Sequence, residues 1–205
     1  TLAPTYAEHP HAWREHQVRA LPAEAIDAAV DSADTLLLVQ PNNPDARRFP
    51  CGQLLAWRAR LAARGGRLIV EEAFLDAEPG DSLVPLAGNP GLVVLRSVGK
   101  FFGLAGARVG FVFAEPALLA RLADRLGPWA VSGPARAVTA AALADRAWQV
   151  DARQRLAADS ARLGALLDCH GLSGGGGTAL FQWRPTPGAA AIHARLAEQA
   201  ILTRL

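Results

Sequence analysis

Short apolar runs alternate along the chain with stretches in which leucine and alanine recur at helical spacing. The apolar runs are Asp34–Val39, Arg67–Glu71, Leu92–Leu95 and Arg108–Phe113. Each run is apolar along most of its length rather than at every second position, which predicts strands that are covered on both faces. The alternation predicts a three-layer α/β fold with a mostly parallel sheet between helices.

Helices are predicted at Pro22–Val30, Gly52–Arg64 and Pro116–Leu126. Pro22 is placed at the first helical position, where the missing N–H of proline costs little. Glycines directly after the second and third helices are typical stop signals. The segment Asp76–Pro90 is rich in glycine, proline and aspartate, and it is interpreted as a loop with at most a turn of helix.

From Ser132 onward the pattern changes to alanine-rich helical stretches, and Ser132 is a good candidate for a helix N-cap. The predicted segments are helices at Ala135–Trp148, Asp151–Cys169 and Pro187–Ala200, a half-buried strand at Thr178–Trp183 and a strand that starts at Ile201. We therefore expect a large domain at residues 1–149 and a smaller α/β domain at residues 150–205.

A run of glycines at Gly174–Gly177 admits two interpretations. A glycine-rich turn holds a phosphate when the N-terminus of a helix follows directly. No helix is predicted directly after this run, so a plain flexible loop is favoured over a phosphate site.

Charge and composition exclude several classes of function. The 205 residues carry a formal net charge of +2, and the basic side chains are scattered rather than interleaved with aromatic residues in a stripe. A nucleic-acid partner is therefore not expected. No apolar run approaches the roughly 18–20 residues that span a bilayer, and no signal peptide is visible, so no membrane partner is expected either.

The two cysteines, Cys51 and Cys169, lie far apart and belong to no CxxC motif or His/Cys cluster. A metal site is therefore not expected, and free thiols in a reducing cytoplasm are the simplest interpretation. The chain contains no methionine, even at its first position. We expect it to be a fragment of a longer protein, truncated at both ends.

Lys100 is the only lysine of the chain, and it lies in the glycine-rich stretch Ser97–Gly110 after the strand at Leu92–Leu95. Apolar neighbours would disfavour its ammonium form by desolvation, which favours the nucleophilic amine that forms a Schiff base with an aldehyde. A solvated surface lysine is the alternative.

Three polar clusters follow predicted strands: the loop around Asn43, Glu71 and the turn that carries Lys100. Ligands of parallel α/β sheets bind beyond the carboxyl ends of the strands. We therefore expect these clusters to form one site.

Three separated motifs occur in order at Asn42–Pro44, Glu71–Phe74 and Ser97–Gly110. They resemble the asparagine–proline loop, the Asp-x-Ala-Tyr/Phe motif and the Ser-x-x-Lys…Gly-x-Arg-x-Gly signature of the class I/II aminotransferase superfamily. Its members are enzymes of fold type I that use pyridoxal 5'-phosphate (PLP). The resemblance covers most of the chain and implies PLP as the cofactor.

The resemblance implies a role for each matching polar residue. Lys100 would hold the cofactor covalently, and Asn43 would hydrogen-bond the phenolic oxygen of its ring. Ser97 and Arg108 would bind the cofactor phosphate, Arg108 as a charged partner with many donors. The structural alternatives are turn residues at Asn43 and Ser97 and a surface charge at Arg108.

The resemblance also places residues around the cofactor ring. Ala73 would pack on one face, and Tyr6 would stack on the other. Glu71 would keep the pyridinium nitrogen protonated, so that the ring acts as an electron sink. The structural alternatives are a core aromatic residue at Tyr6 and a surface carboxylate at Glu71.

The chain departs from the family pattern at several positions. Glu71 replaces the usual aspartate and is one methylene longer, so the ring or the strand would have to shift, or the contact would be poorer. Phe74 lacks the hydroxyl of the tyrosine that many relatives have. Gln40 and Asp45 replace the usual asparagine and threonine.

Within the superfamily, the chain resembles the threonine-phosphate decarboxylase family of cobalamin biosynthesis. The segments that carry this resemblance are Pro4–His9, Glu72–Phe74, Gly103–Gly106, Gly177–Trp183 and Ile201–Leu205. The resemblance implies a homodimeric enzyme that converts an amino acid phosphate, L-threonine O-3-phosphate, to aminopropanol phosphate. The alternatives are a PLP-dependent aminotransferase, such as histidinol-phosphate aminotransferase, and a non-catalytic fragment of either enzyme.

Overall fold

The computed structural model describes all 205 residues, Thr1–Leu205. Its main sheet contains the strands β1 (Thr35–Val39), β2 (Arg67–Glu71), β3 (Leu92–Ser97) and β4 (Gly110–Ala114). They lie in the order β1-β2-β3-β4; the first three are parallel, and β4 is antiparallel to β3. The predicted mostly parallel sheet is confirmed.

The chain reverses direction immediately before β4. Arg108, the predicted first residue of this strand, has a φ of 53° in the left-handed region. Such a conformation interrupts extended backbone, so the strand begins later, at Gly110.

The first part of the chain contributes four helices: α1 (Glu8–Ala12), α2 (Ala23–Ala29), α3 (Cys51–Ala62) and α4 (Pro116–Leu126). The predicted bounds of α4 are confirmed. Pro22 is the N-cap of α2 rather than its first helical residue, because its ψ of 158° is extended. The predicted loop at Asp76–Pro90 contains only short 3-10 turns, at Leu75–Ala77 and Val84–Leu86.

A cluster of 15 buried hydrophobic residues packs α2 and α3 against one face of the sheet. Trp57 of α3 is 1% exposed, and its ring lies edge-on to Phe49 with 5.2 Å between the centroids. Burial of a large apolar side chain contributes about 1.5–3 kcal/mol. This packing holds the parallel strands in place and therefore fixes where their carboxyl ends lie.

Polar contacts form a second link between α2 and α3. The Trp57 indole N–H donates to Asp27 Oδ1 at 2.7 Å, and Arg60 pairs with both Asp27 and Asp31. The pKa of Asp27 is lowered, first by the Trp57 hydrogen bond and then by that of Arg60; the pKa of Asp31 is lowered by the Arg60 hydrogen bond. Both ionised carboxylates therefore favour the folded state, and this contribution is lost in acid.

The remaining elements are α5 (Gly133–Ala144), α6 (Arg146–Cys169), β5 (Gly176–Thr178), β6 (Phe181–Trp183) and α7 (Ala189–Glu198). Ser132 caps α5 as predicted, since its hydroxyl accepts from the Ala135 N–H. None of the helices combines the length and the apolar character needed to cross a bilayer.

The predicted helix bounds at Trp148 and Asp151 are wrong. The break lies at Asp145, whose ψ of 80° is not helical and whose carboxylate accepts from the Trp148 N–H at 3.0 Å. This cap ends α5 and starts α6. Since α6 continues through residue 150, the division into domains at that point stays a prediction.

The single strand predicted at Thr178–Trp183 is wrong. The chain reverses through Ala179 and Leu180, so that β5 and β6 form an antiparallel hairpin with Thr178 opposite Phe181. The strand predicted at Ile201 is also wrong: the chain is irregular there, and the sheet formed by β5 and β6 has no third strand.

The glycine run serves close backbone packing. Gly174 and Gly175 have φ values of 81° and 85°, and Gly176 begins β5, so no helix N-terminus follows that would hold a phosphate. A Cβ on Gly176 would lie 2.2 Å from the carbonyl oxygen of Asp45. The glycine therefore allows the hairpin to lie directly against the loop that carries Asn43.

Candidate active site

A cavity of about 340 Å³ lies at the carboxyl ends of β1, β2 and β3. All the residues predicted for the site line it: Tyr6, Asn43, Glu71, Ala73, Ser97, Lys100 and Arg108. Its volume falls within the range of about 300–1,000 Å³ that is usual for ligand pockets. The fold therefore collects separate parts of the sequence around one space.

The register of the sheet explains this convergence. Val39, the last residue of β1, pairs with Glu71, the last residue of β2. Ser97, at the end of β3, pairs with Gly110, at the start of β4. The parallel strands end at the same edge of the sheet, and the antiparallel strand β4 begins there. Arg108 lies just before β4 and therefore lies at this edge as well.

Lys100 lines the cavity from the turn that follows β3. The expectation that apolar neighbours shield Lys100 from solvent is wrong, because the residue is exposed. Gly99 and Gly103, close to it in the turn, have no side chains that would cover it. The Nζ atom lies 5.4 Å from the centroid of the Phe74 ring, so the amine faces the cavity and is open to a ligand.

Ala73 and Phe74 form part of the cavity wall. Ala73 is 1% exposed, and the Phe74 ring packs edge-on against Phe181 of β6 with 5.1 Å between the centroids. The β5–β6 hairpin therefore supports this wall from behind. Phe74 contributes shape and apolar surface there, since it has no hydroxyl.

Glu71 has a partner that sequence reasoning missed. His9 Nε2 forms a hydrogen bond with Glu71 Oε2, and their side chains are only 16% and 19% exposed. His9 also packs edge-on against Tyr6, with 5.6 Å between the ring centroids. The available signal was the Tyr6-x-x-His9 spacing, which brings two side chains to one side of a helical turn.

The same contact explains how the longer Glu71 side chain is accommodated. Strand β2 keeps regular pairing with both neighbours through Glu71. The carboxylate extends from the end of this strand to His9.

Ser97 and Arg108 provide donors on another side of the cavity. Ser97 Oγ accepts from the Gly99 N–H at 3.0 Å, which leaves the hydroxyl hydrogen free for a ligand. Arg108 is exposed, and its Nη1 donates to the Ala105 carbonyl at 3.2 Å. A hydroxyl and a guanidinium together are suited to an anion such as a phosphate.

The loop that carries Asn43 is held by the residues that depart from the family pattern. Gln40 is 3% exposed; its amide donates to the Phe49 carbonyl at 2.7 Å and accepts from the Phe49 N–H at 2.8 Å. Asp45 accepts from the Arg47 N–H at 3.1 Å. Gln40 and Asp45 therefore both fix the loop.

Comparison with known proteins supports the same family. The model of the family "Aminotransferase class I and II" matches residues 2–204. The chain is 53% identical to threonine-phosphate decarboxylase of Pseudomonas aeruginosa and 43% identical to that of a Sinorhizobium species, over 99% of its own length in each case. It covers 62% and 61% of those proteins, so it spans about three fifths of their length.

The fold has a solved counterpart in histidinol-phosphate aminotransferase from Sinorhizobium meliloti, whose crystal structure is a complex with PLP. The two share a TM-score of 0.85 at 24% sequence identity, over 98% of this chain and 60% of that one. The family match over nearly all residues and the agreement in fold lead to one conclusion: the chain belongs to the class I and II aminotransferase family.

Proposed function

We propose that the protein is a PLP-dependent lyase that decarboxylates L-threonine O-3-phosphate to aminopropanol phosphate, as a step of cobalamin biosynthesis. The observation that carries the proposal is the convergence of Lys100 with the other predicted site residues on one cavity. The 53% identity to threonine-phosphate decarboxylase of Pseudomonas aeruginosa supports this choice of reaction.

The side chains around the cavity match the chemical groups of PLP. Lys100 offers an amine to the aldehyde, Glu71 a carboxylate to the ring nitrogen and Asn43 an amide to the phenolic oxygen. Ser97 and Arg108 offer a hydroxyl and a guanidinium to the phosphate. When bound, PLP withdraws electrons from the α-carbon of an amino acid and so weakens the bonds around it.

The residues of the chain itself bind, orient and move protons. Glu71 supplies a negative charge in a defined position, because His9 holds one of its carboxylate oxygens. Tyr6 and Ala73 both line the cavity and would cover the faces of a flat ring, which excludes water. The Lys100 amine would return a proton to the α-carbon after carbon dioxide leaves.

Transamination by the same residues is the alternative activity. A product assay separates the two reactions: the protein is incubated with PLP and L-threonine O-3-phosphate, with and without a 2-oxo acid. We expect carbon dioxide and aminopropanol phosphate, and their absence in Lys100→Ala. Conversion of the 2-oxo acid to an amino acid, without carbon dioxide release, would instead identify an aminotransferase.

PLP binding without catalysis is the third possibility, and it has its own test. Titration with PLP should give a visible absorption band that Lys100→Ala lacks. Since Lys100 is the only lysine, borohydride reduction should leave the cofactor on the peptide that contains it. A band without product would indicate a binding module, and no band at all would refute the proposed function for this chain.

We also propose that the enzyme is a cytoplasmic homodimer. Free Cys51 and Cys169 support a reducing compartment. Leu126 and Trp129 are 66% and 90% exposed, and exposed apolar side chains of this size favour burial in an interface. Sedimentation equilibrium should give twice the monomer mass; a monomer at micromolar concentration would refute the dimer.

A further inference from the structure

Asn42, the residue before Asn43, joins two segments that are far apart in sequence. It is 0% exposed. Its Oδ1 accepts from the Thr5 hydroxyl at 2.9 Å, and its Nδ2 donates to the Pro4 carbonyl at 2.9 Å. The Asn42 side chain therefore holds the segment that carries Tyr6.

The same residue also closes the turn that carries Asn43. Nδ2 of Asn42 donates to Asp45 Oδ1 at 2.6 Å. The backbone N–H of Asn42 donates to the Arg47 carbonyl at 2.9 Å, and its carbonyl accepts from the Ala46 N–H at 2.8 Å. Side chain and backbone of one buried residue thus fix the neighbours of two cavity-lining side chains.

An asparagine is required for this combination. Its amide has one carbonyl acceptor and two N–H donors, and the three side-chain contacts use an acceptor and both donors. An aspartate lacks the donors, and an alanine would leave the buried partners unsatisfied.

We propose that Asn42 is a positioning residue that sets Tyr6 and Asn43 in one geometry and thereby prepares the cavity for the cofactor ring. This inference rests on the proposed function, because the positioning by Asn42 affects activity only through PLP binding. The coupling between the two segments is a property of the chain alone, however, and it is measurable without PLP.

Tyr6 provides a probe, since it is the only tyrosine. Incorporation of 3-fluorotyrosine gives one ¹⁹F resonance, which is recorded without cofactor for the unchanged protein, Asn42→Ala, Thr5→Val and Thr5→Ser. Thr5→Val removes the hydroxyl at nearly constant volume, and Thr5→Ser retains it.

We expect Asn42→Ala and Thr5→Val to shift or broaden the Tyr6 resonance, whereas Thr5→Ser leaves it in place. In PLP titrations, Thr5→Val should raise the Kd by about threefold to tenfold, equal to the loss of one hydrogen bond, and Thr5→Ser should restore it.

A folded Asn42→Ala with an unchanged Tyr6 resonance would overturn the inference, as would a lower unfolding temperature combined with an unchanged Kd. If Asn42→Ala does not fold, the Tyr6 resonance and the Kd for PLP are measured on Thr5→Val, and the same outcomes support or overturn the inference. Failure of the unchanged protein to bind PLP would refute the proposed function, while the ¹⁹F comparison would still decide the coupling.

Discussion

Replacement of Gly176 by alanine tests whether the β5–β6 hairpin presses on the loop that carries Asn43. The added Cβ would lie 2.2 Å from the carbonyl oxygen and 3.1 Å from the carbonyl carbon of Asp45. Ordinary contacts of this kind exceed about 3.4 Å, so the hairpin and the loop must separate by roughly 1 Å.

The cost follows from this displacement. The φ of Gly176 is not positive, so alanine tolerates the backbone conformation and the effect is steric. Overpacking of this kind costs about 1–3 kcal/mol, and for a chain of this length each kcal/mol lowers the unfolding temperature by about 2–4 °C. We therefore expect a decrease of about 2–12 °C in Gly176→Ala, measured by circular dichroism.

The displaced loop should also bind the cofactor less well, because Asp45 accepts a hydrogen bond from Asn42 next to Asn43. We expect a higher Kd in PLP titrations of Gly176→Ala. Gly133→Ala is the matched control: nothing lies within 4 Å of its added Cβ, and alanine is favourable in a helix. Equal unfolding temperatures and equal Kd values for Gly176→Ala and the unchanged protein would refute the close contact.

Three further predictions concern charged groups. His9→Ala removes the hydrogen-bond partner of Glu71. The Kd for PLP should therefore rise by about threefold to tenfold, which corresponds to the loss of one partly exposed hydrogen bond. An unchanged Kd in PLP titrations would show that His9 does not fix the carboxylate. Arg96→Met leaves the fully buried Glu72 without the guanidinium that lies 3.0 Å away, so urea unfolding should show that the free energy of unfolding falls by about 3 kcal/mol. Adding Glu72→Gln to the same chain should recover part of this loss, and a loss below about 1 kcal/mol in Arg96→Met would contradict this account. Hydrogen bonds from Trp57 and Arg60 lower the pKa of Asp27, so the stabilisation by this carboxylate is present above the ordinary aspartate pKa of about 4 and disappears as the pH falls further. Between about pH 7 and about pH 2, the unfolding temperature of Asp27→Asn should therefore fall less than that of the unchanged protein. Parallel curves for the two proteins would show that ionised Asp27 does not stabilise the fold.

Local patterns determined most of the regular elements. The bounds of β2 and α4 agree with the predictions, because an apolar run and a proline-started helix are decided by nearby residues. The break at Asp145 was missed, since an aspartate inside an alanine-rich stretch is also compatible with a continuous helix. The β5–β6 hairpin was missed because Ala179 and Leu180 carry no turn signal.

The candidate site shows the same division. Spacing and resemblance selected Asn43, Glu71 and Lys100, and the structure brings them to one cavity. The apolar composition around Lys100 did not determine its exposure, because the glycines beside it give no cover. Composition describes neighbours in sequence, whereas exposure depends on neighbours in space.

The sequence by itself determined the family, the alternation of strands and helices in the main sheet and the chemical types of the site residues, since these depend on motifs and local periodicity. Only the tertiary structure decided the partners of those residues. The contacts of His9 with Glu71 and of Asn42 with Thr5 join residues that are 62 and 37 positions apart. Such pairs form because the ends of β1 and β2 place Asn42 and Glu71 at one edge of the sheet, and the N-terminal segment that carries Thr5 and His9 packs against that edge.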